Sequence, residues 1–416
     1  MFIFTSLVLI FTPVFIFLFA PGFYFQSEEL EISSHVLRIM FPYLALISLV
    51  AFAGGIQNTH QKFSIPAFTP VVFNLCLIIA AVFVAPKYEM PIYVLAWGVL
   101  LAGFLQLLIQ IAPLRDINRL PVPKLNFENK GVKKFFKIIL PAILAGGIIQ
   151  INLLIDTIFA SLLETGSPTW LYVSDRLIQF PMGIFAIAIG TVLLPTLSKL
   201  DATNKKIDFS NSISKGQKFV LFLGIPSLIG LFLCAEDLVS TIFYRGQFTY
   251  TDVLQSSYSL MAFSIGLPFF MLMKVLTPAF FARKDTKTPM YVALVSLILN
   301  ACLNYFLAFV LDFGHIGIAI GSTISAFVSV LILEIILFKS GFIIIRNILN
   351  KFNLMIFMSS SALIAFLYFF TLNTNFIELN QIERLGYLSI EVIASVCIYL
   401  SISRLIYGKP LQTIFN

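Results

Sequence analysis

The chain is poor in charge, cysteine and histidine, and each shortage closes off a class of function. Only 11% of its 416 residues are Asp, Glu, Lys or Arg, against roughly 25% in soluble globular domains. With 59% hydrophobic residues, it is no ordinary soluble globule. The four cysteines, Cys76, Cys234, Cys302 and Cys397, fall within or at the edge of apolar runs. None stands in a CxxC or is paired with a histidine, so they read as small core residues. His35, His60 and His315 are isolated and are assigned no chemistry. The sequence also lacks a Gly-rich phosphate loop, a paired-Asp motif, a Ser–His nucleophile and metal-ligand spacing. Neither an enzyme nor an ATP-driven pump is expected.

What the sequence has instead is long apolar runs. Runs of about 20 apolar residues cross a bilayer as helices, because only a helix satisfies its own backbone there. Twelve are read, from Met1–Phe19 through Phe135–Leu162 to Leu354–Leu372 and Leu385–Ile406. The predicted class is an all-α polytopic membrane protein. Met1–Ala20 has neither a basic leader nor a small-residue cleavage site and is read as a retained helix. Ser27–Arg38 and the Glu236–Thr251 connection are expected to be short interfacial helices.

The net charge of +7 is distributed in a way that argues against nucleic acid. Lys and Arg gather in every second turn, around Lys62, Arg115–Lys137, Lys199–Lys218, Arg283–Lys287 and Lys339–Lys351, and in the tail with Arg404 and Lys409. The intervening turns hold only Arg38, Lys87, Arg245 and Arg384. Positive turns stay cytoplasmic during insertion and meet phospholipid headgroups. Both termini are therefore expected on the cytoplasmic side of a bacterial inner membrane.

Two basic turns resemble each other. GIQNTHQKFSIP (Gly55–Pro66) and ARKDTKTP (Ala282–Pro289) both end in proline and lead into a new apolar helix, six helices apart. That suggests two related lobes, an architecture common among transporters. The expected organisation is an incomplete first lobe of four helices at 1–112, a basic cytoplasmic linker at 113–134, a six-helix lobe at 135–338 and a final pair at 352–408. A repeat of six implies two further helices before Met1.

Charged and polar residues within the spans are costly and need a reason. In WLYVSDRLIQFPMG, Tyr172, Arg176 and Gln179 share one helix face, and Asp175 adjoins Arg176. A guanidinium suits a phosphate, since its planar fork donates two hydrogen bonds and never loses its charge. The plain alternative is an Asp–Arg brace or an arginine reaching for the interface. Asp156, with Asn152 a turn earlier and Thr157 adjacent, suits Na⁺ or a proton, with oxygens from Asn300, Asn304, Ser322 and Thr323. Its alternatives are a pairing with Arg176 across helices and a carboxyl that stays neutral. Lys274 lines a cavity or snorkels to the headgroups, and Glu334 and Glu391 read as interfacial. Pro141, Pro181, Pro268 and Pro278, with Gly146 and Gly147, interrupt helices and allow bends.

Several longer stretches are specific enough to carry a resemblance. PAILAGGIIQINLLIDTIFASLLETGSPTWLYVSDRLIQFPMGIFAIAIGTVLLPTLSK (Pro141–Lys199), FPYLALISLVAFAGGIQNTHQKFSIPAFTPVVFN (Phe41–Asn74), KVLTPAFFARKDTKTP (Lys274–Pro289) and FYRGQFT (Phe243–Thr249) resemble the MurJ, or MviN, family of lipid II flippases. The resemblance implies a MATE-like two-lobe bundle of the multidrug/oligosaccharidyl-lipid/polysaccharide flippase superfamily, with a C-terminal pair forming a lipid groove and Met1 falling at the third helix of fourteen. It implies alternating-access carriage of undecaprenyl-pyrophosphate disaccharide-pentapeptide to the outer leaflet, no cofactor beyond Na⁺ or H⁺ as coupling ion, and contact with the cell-wall synthesis machinery. It also implies that Arg176, Asp175, Gln179, Tyr172 and Lys274 belong to the substrate cavity, and that Asp156, Asn300, Asn304 and Thr323 belong to a sodium site. Gln179 stands where some relatives carry an acid, which removes a proton role there. The alternatives are a flippase for another polyprenyl-linked glycan, a drug/cation antiporter, a scaffold of the wall machinery, or an inactive truncated copy.

Overall fold

The computed structural model describes residues 2–116, 147, 150–342, 350–374 and 376–408. The basic linker beyond residue 116, Pro141, Gly146, the turn at 343–349 and the tail from Lys409 lie outside the described residues. Every regular element among the described residues is helical, and ten helical stretches are long and apolar enough to span a membrane. Twelve were expected, and the difference has two sources. The run Phe135–Leu162 is described only from residue 147, and Met1–Phe19 is not one helix.

That first run breaks into α1 (Phe2–Ile10) and α2 (Thr12–Phe19). Pro13 has no N–H to give the Leu9 carbonyl, so the ladder stops there. The buried Thr12 hydroxyl lies 3.0 Å from that carbonyl and 2.9 Å from Val8 O, and it covers the gap.

The chain forms two compact units, Met1–Pro141 and Ala142–Asn416. In the first, α3 (Ser27–Met40), α4 (Pro42–Thr59) and α5 (Ser64–Ile79) surround α6 (Pro91–Asp116). Its core is partly polar. Gln106 Nε2 donates to Thr69 O at 3.0 Å, Gln110 Nε2 to Thr69 Oγ1 at 2.9 Å, and Gln57 Nε2 to Gln110 Oε1. These amides are almost fully buried, and each Nε2 finds an acceptor within the unit, as an apolar surrounding requires.

The second unit starts with α7 (150–161), α8 (Ser167–Pro181) and α9 (Ile187–Ala202). Then come α10 (Lys206–Leu233), the short α11 (Ala235–Phe243) and α12 (Tyr250–Ala282). The unit ends with α13 (Lys287–Tyr305), α14 (Gly314–Lys339), α15 (Lys351–Asn373) and α16 (Gln381–Tyr407). α12 is the axis, packed by α8, α9, α10 and α14. Thr249 and Asp252 close a reciprocal capping box at its start. Its 33 residues make a rod of about 50 Å, longer than a hydrocarbon core of about 30 Å. At the other end, Asp285 accepts from Thr288 Oγ1 and from the backbone N–H groups of Thr288 and Lys287. Those bonds, with Arg283 beside them, hold its carboxyl below the usual range. The motif ARKDTKTP is therefore a helix-start device as well as a basic turn.

Two glycines let α14 approach α13 and the π-helical turn, Phe306–Val310, that follows it. A Cβ on Gly317 would lie 2.7 Å from the Leu307 carbonyl carbon, and one on Gly321 would meet Asn304 Oδ1. Small residues at this spacing are how membrane helices bring their backbones together. Gly317→Ala is expected to lower the melting temperature of the purified protein, since overpacking costs about 1–3 kcal/mol. Gly321→Ala should do the same and also displace Asn304; an unchanged melting curve for both variants would contradict this packing.

Candidate functional site

α8 is fixed to α12 by buried polar contacts. Trp170 Nε1 donates to Asp252 Oδ1 at 2.8 Å, and Ser174 Oγ, fully buried, donates to Ser256 O at 2.7 Å. His315 of α14 packs on Trp170, with ring centroids 4.8 Å apart, and bonds Ser259 and Gln255 through its two nitrogens. No role was assigned to this histidine from sequence; in the structure it joins three helices. Trp170→Phe removes a hydrogen bond to a charged acceptor, worth about 1.5–3 kcal/mol. It should lower the thermal midpoint by several degrees, and unaltered melting would count against this lock.

With Trp170 and Ser174 turned inward, the opposite face of α8 is open. It carries Tyr172, Arg176 and Gln179, all exposed from the unit. The Arg176 guanidinium carbon lies 4.7 Å from the centre of the Tyr172 ring, a cation–π contact that orients the fork. Gln179 Nε2 donates to Asp175 Oδ2. Asp175 is thereby held by the amide, while Arg176, an immediate neighbour in electrostatic reach, has no hydrogen-bond acceptor among the described residues. One turn on, Pro181 interrupts the ladder and a π-helical turn follows over Met182–Ala186, a geometry that recurs at functional sites.

Lys274 is not part of this group. It is exposed on α12, and its carbonyl lies where a Gly190 Cβ would reach, at 3.2 Å. Gly190 is fourteen residues beyond Arg176, about 20 Å along the axis.

The second cluster joins α7, α13 and α14. Asn304 Nδ2 donates to Asp156 Oδ1 at 2.6 Å and to Asn300 Oδ1 at 3.0 Å. Asn300 Nδ2 donates to Ser322 Oγ at 2.9 Å. Asn300 and Asn304 are completely buried. With its amide committed, Asn304 Oδ1 is buried with no donor, as is Asn152 Oδ1 one turn before Asp156. A carboxylate with orphaned amide oxygens fits a hard monovalent cation, which takes several oxygen ligands. Thr323 is turned elsewhere: its hydroxyl donates to Ala262 O of α12 at 2.9 Å. Ser322 provides the hydroxyl on this side. Asp175 lies within electrostatic reach of Asp156, so the two clusters are neighbours.

Glu391, read as interfacial, is fully buried. Glu334, read the same way, is partly buried and accepts from Gln217 Nε2 at 2.9 Å.

A family model described as "Lipid II flippase MurJ" matches residues 1–384. The chain belongs to the MurJ family. It is 41% identical over 307 residues to a probable lipid II flippase MurJ of Haemophilus influenzae, covering 72% of this chain and 60% of that one. With a protein of the same description from Vibrio cholerae the identity is 42%, covering 74% and 58%. The chain thus spans less than two thirds of the length of these MurJ relatives. A solved structure of lipid II flippase MurJ in an inward closed conformation superposes with a TM-score of 0.80 at 27% identity, over 100% of this chain and 82% of that one. The fold is therefore the all-helical MurJ fold, and the chain is a multi-pass inner-membrane protein.

Proposed function

We propose that the chain moves lipid II from the inner to the outer leaflet of the cytoplasmic membrane by alternating access. The observation that carries this is Arg176 on the open face of α8, stacked on Tyr172 and flanked by an Asp175–Gln179 pair. An arginine with free donors beside an acid already occupied by an amide is suited to a pyrophosphate, which needs bidentate donors of fixed charge. Such a carrier binds and releases its cargo and makes no covalent change to it. The polar cluster on α7, α13 and α14 supports a coupling role for Na⁺: Asp156, Asn304, Asn300 and Ser322 would hold the ion, and its charge would neutralise the carboxylate inside the membrane. The charge alternation supports cytoplasmic termini, and components of the wall-synthesis machinery are the expected partners.

The test is rescue of cells depleted of their own flippase. Wild type and Arg176→Lys should sustain growth to different degrees, and Arg176→Ala should fail at equal membrane abundance. Equal rescue by all three would remove the role given to Arg176.

A further inference from the structure

We infer that Asp237 and Glu391 form a proton-binding site in the seam between α11 and α16, and that the bound proton keeps these helices docked. Glu391 is 0% exposed and neither of its carboxyl oxygens has a hydrogen-bond partner. Asp237 is 8% exposed and its Oδ2 is likewise without one. The two residues lie within electrostatic reach of each other, and the Cys234 thiol faces Glu391. Ser395, one turn beyond Glu391, adds a further buried hydroxyl with no partner.

Among the described residues, the charged neighbours supply no counter-ion. Arg384, two turns before Glu391 on α16, is buried, but its guanidinium is committed elsewhere. Nε donates to Phe376 O at 2.7 Å and Nη2 to Ile377 O at 2.9 Å, while Nη1 lies 3.5 Å from Ser240 O. Its carbon also lies 4.8 Å from the Tyr244 ring centre. Glu236 adds negative charge and accepts from the Tyr250 hydroxyl at 3.2 Å. Tyr399 of α16 donates to Phe222 O of α10. Beyond Lys218, α10 has no titratable side chain, and after Lys351, α15 has only Tyr368. Two buried carboxylates with no cation between them are strongly unfavourable, so protons must supply the balance.

Asp237 lies outside the spanning helices. Burial first, then Glu391 and Glu236, push its carboxyl up to about 8, and burial likewise raises the Cys234 thiol. An exposed carboxyl titrates near ~4. Docking is therefore complete below that value and is lost as pH rises through the docked value near 8. The α15–α16 pair is in this reading a pH-sensitive attachment, independent of what the protein carries.

The experiment uses the full chain in lipid nanodiscs. Infrared spectra at neutral pH should show a protonated-carboxyl stretch that Glu391→Gln and Asp237→Asn each diminish. Spin labels at Ile242 and Ile382, with exposed Cys302 and Cys397 and partly exposed Cys76 replaced by Ala, read the α11–α16 separation. The distance distribution should broaden between about pH 6 and about pH 9.5 in the otherwise native chain and stay narrow in the double variant. Should the double variant not fold, each single variant, with one carboxyl left to titrate, should shift the pH at which the distribution broadens. A carboxyl stretch unchanged in both variants overturns the proton site, and a pH-independent distance overturns the docking role. A distance that follows Na⁺ concentration instead of pH assigns the seam to a cation and overturns the proposal.

Discussion

Arg176→Ala should remove nearly all lipid II transport while leaving the fold intact. The side chain is exposed and stacks on the exposed Tyr172 ring, so truncation opens no buried cavity. If the chain carries lipid II as proposed, the change removes a pair of charge-assisted donors to its pyrophosphate. Each such bond is worth about 1.5–3 kcal/mol, so losing one weakens binding about ten- to hundredfold and losing both does so multiplicatively. Arg176→Lys keeps the charge but not the planar fork and should fall between. Tyr172→Leu, which frees the guanidinium to move, should give a smaller loss of the same kind. The check is equilibrium binding of a labelled lipid II alongside a melting curve. Weakened binding with unchanged melting is the expected pair.

Asn304→Ala should be the most damaging single change in the second unit. Asn304 is fully buried and donates to both Asp156 and Asn300. Removing it strands a carboxylate oxygen and an amide oxygen together, at about 2–5 kcal/mol by the usual cost of orphaned buried acceptors. Asp156→Asn should behave differently. It keeps the volume and removes the charge, so the melting temperature should hold or rise in Na⁺-free buffer. A ligand that binds only the folded state stabilises it by about 2.7 kcal/mol at a hundred times its dissociation constant. Wild type should therefore melt higher in Na⁺ than in a large organic cation, and Asp156→Asn should lose that difference. Melting that ignores Na⁺ in wild type would remove the ion from this site.

Much of the fold could be read in the sequence because two strong physical constraints act on it. Membrane helices must be apolar for about 20 residues, and basic turns are sorted to one side. Those constraints place ten of the spans but say nothing of breaks within them. The division at Thr12 and Pro13 depends on one missing N–H. The face of α8 was legible because Tyr172, Arg176 and Gln179 are three and four residues apart. Lys274 could not be placed, since its distance from Arg176 follows from how α12 runs alongside α8 and α9. The choice between Ser322 and Thr323 was equally hidden. Adjacent residues on a helix point about 100° apart, and only the packing of α13 and α12 on either side decides which hydroxyl faces Asn300. Glu391 was misjudged for a local reason. Asn380 and Glu383 form a capping box that starts α16 at Gln381, so Glu391 sits ten residues inside the helix. The glutamine network of α4 and α6 left a signal that spacing could have found, since Gln106 and Gln110 are four apart in an otherwise apolar run.

The most direct measurement is leaflet-resolved transport of fluorescent lipid II in proteoliposomes containing the purified chain, with Arg176→Ala in parallel. Time-dependent appearance of the headgroup on the far side with wild type, and none above empty liposomes with Arg176→Ala, is the predicted result. Transport at the same rate by both proteins, or wild-type signal no faster than that of empty liposomes, would contradict the account.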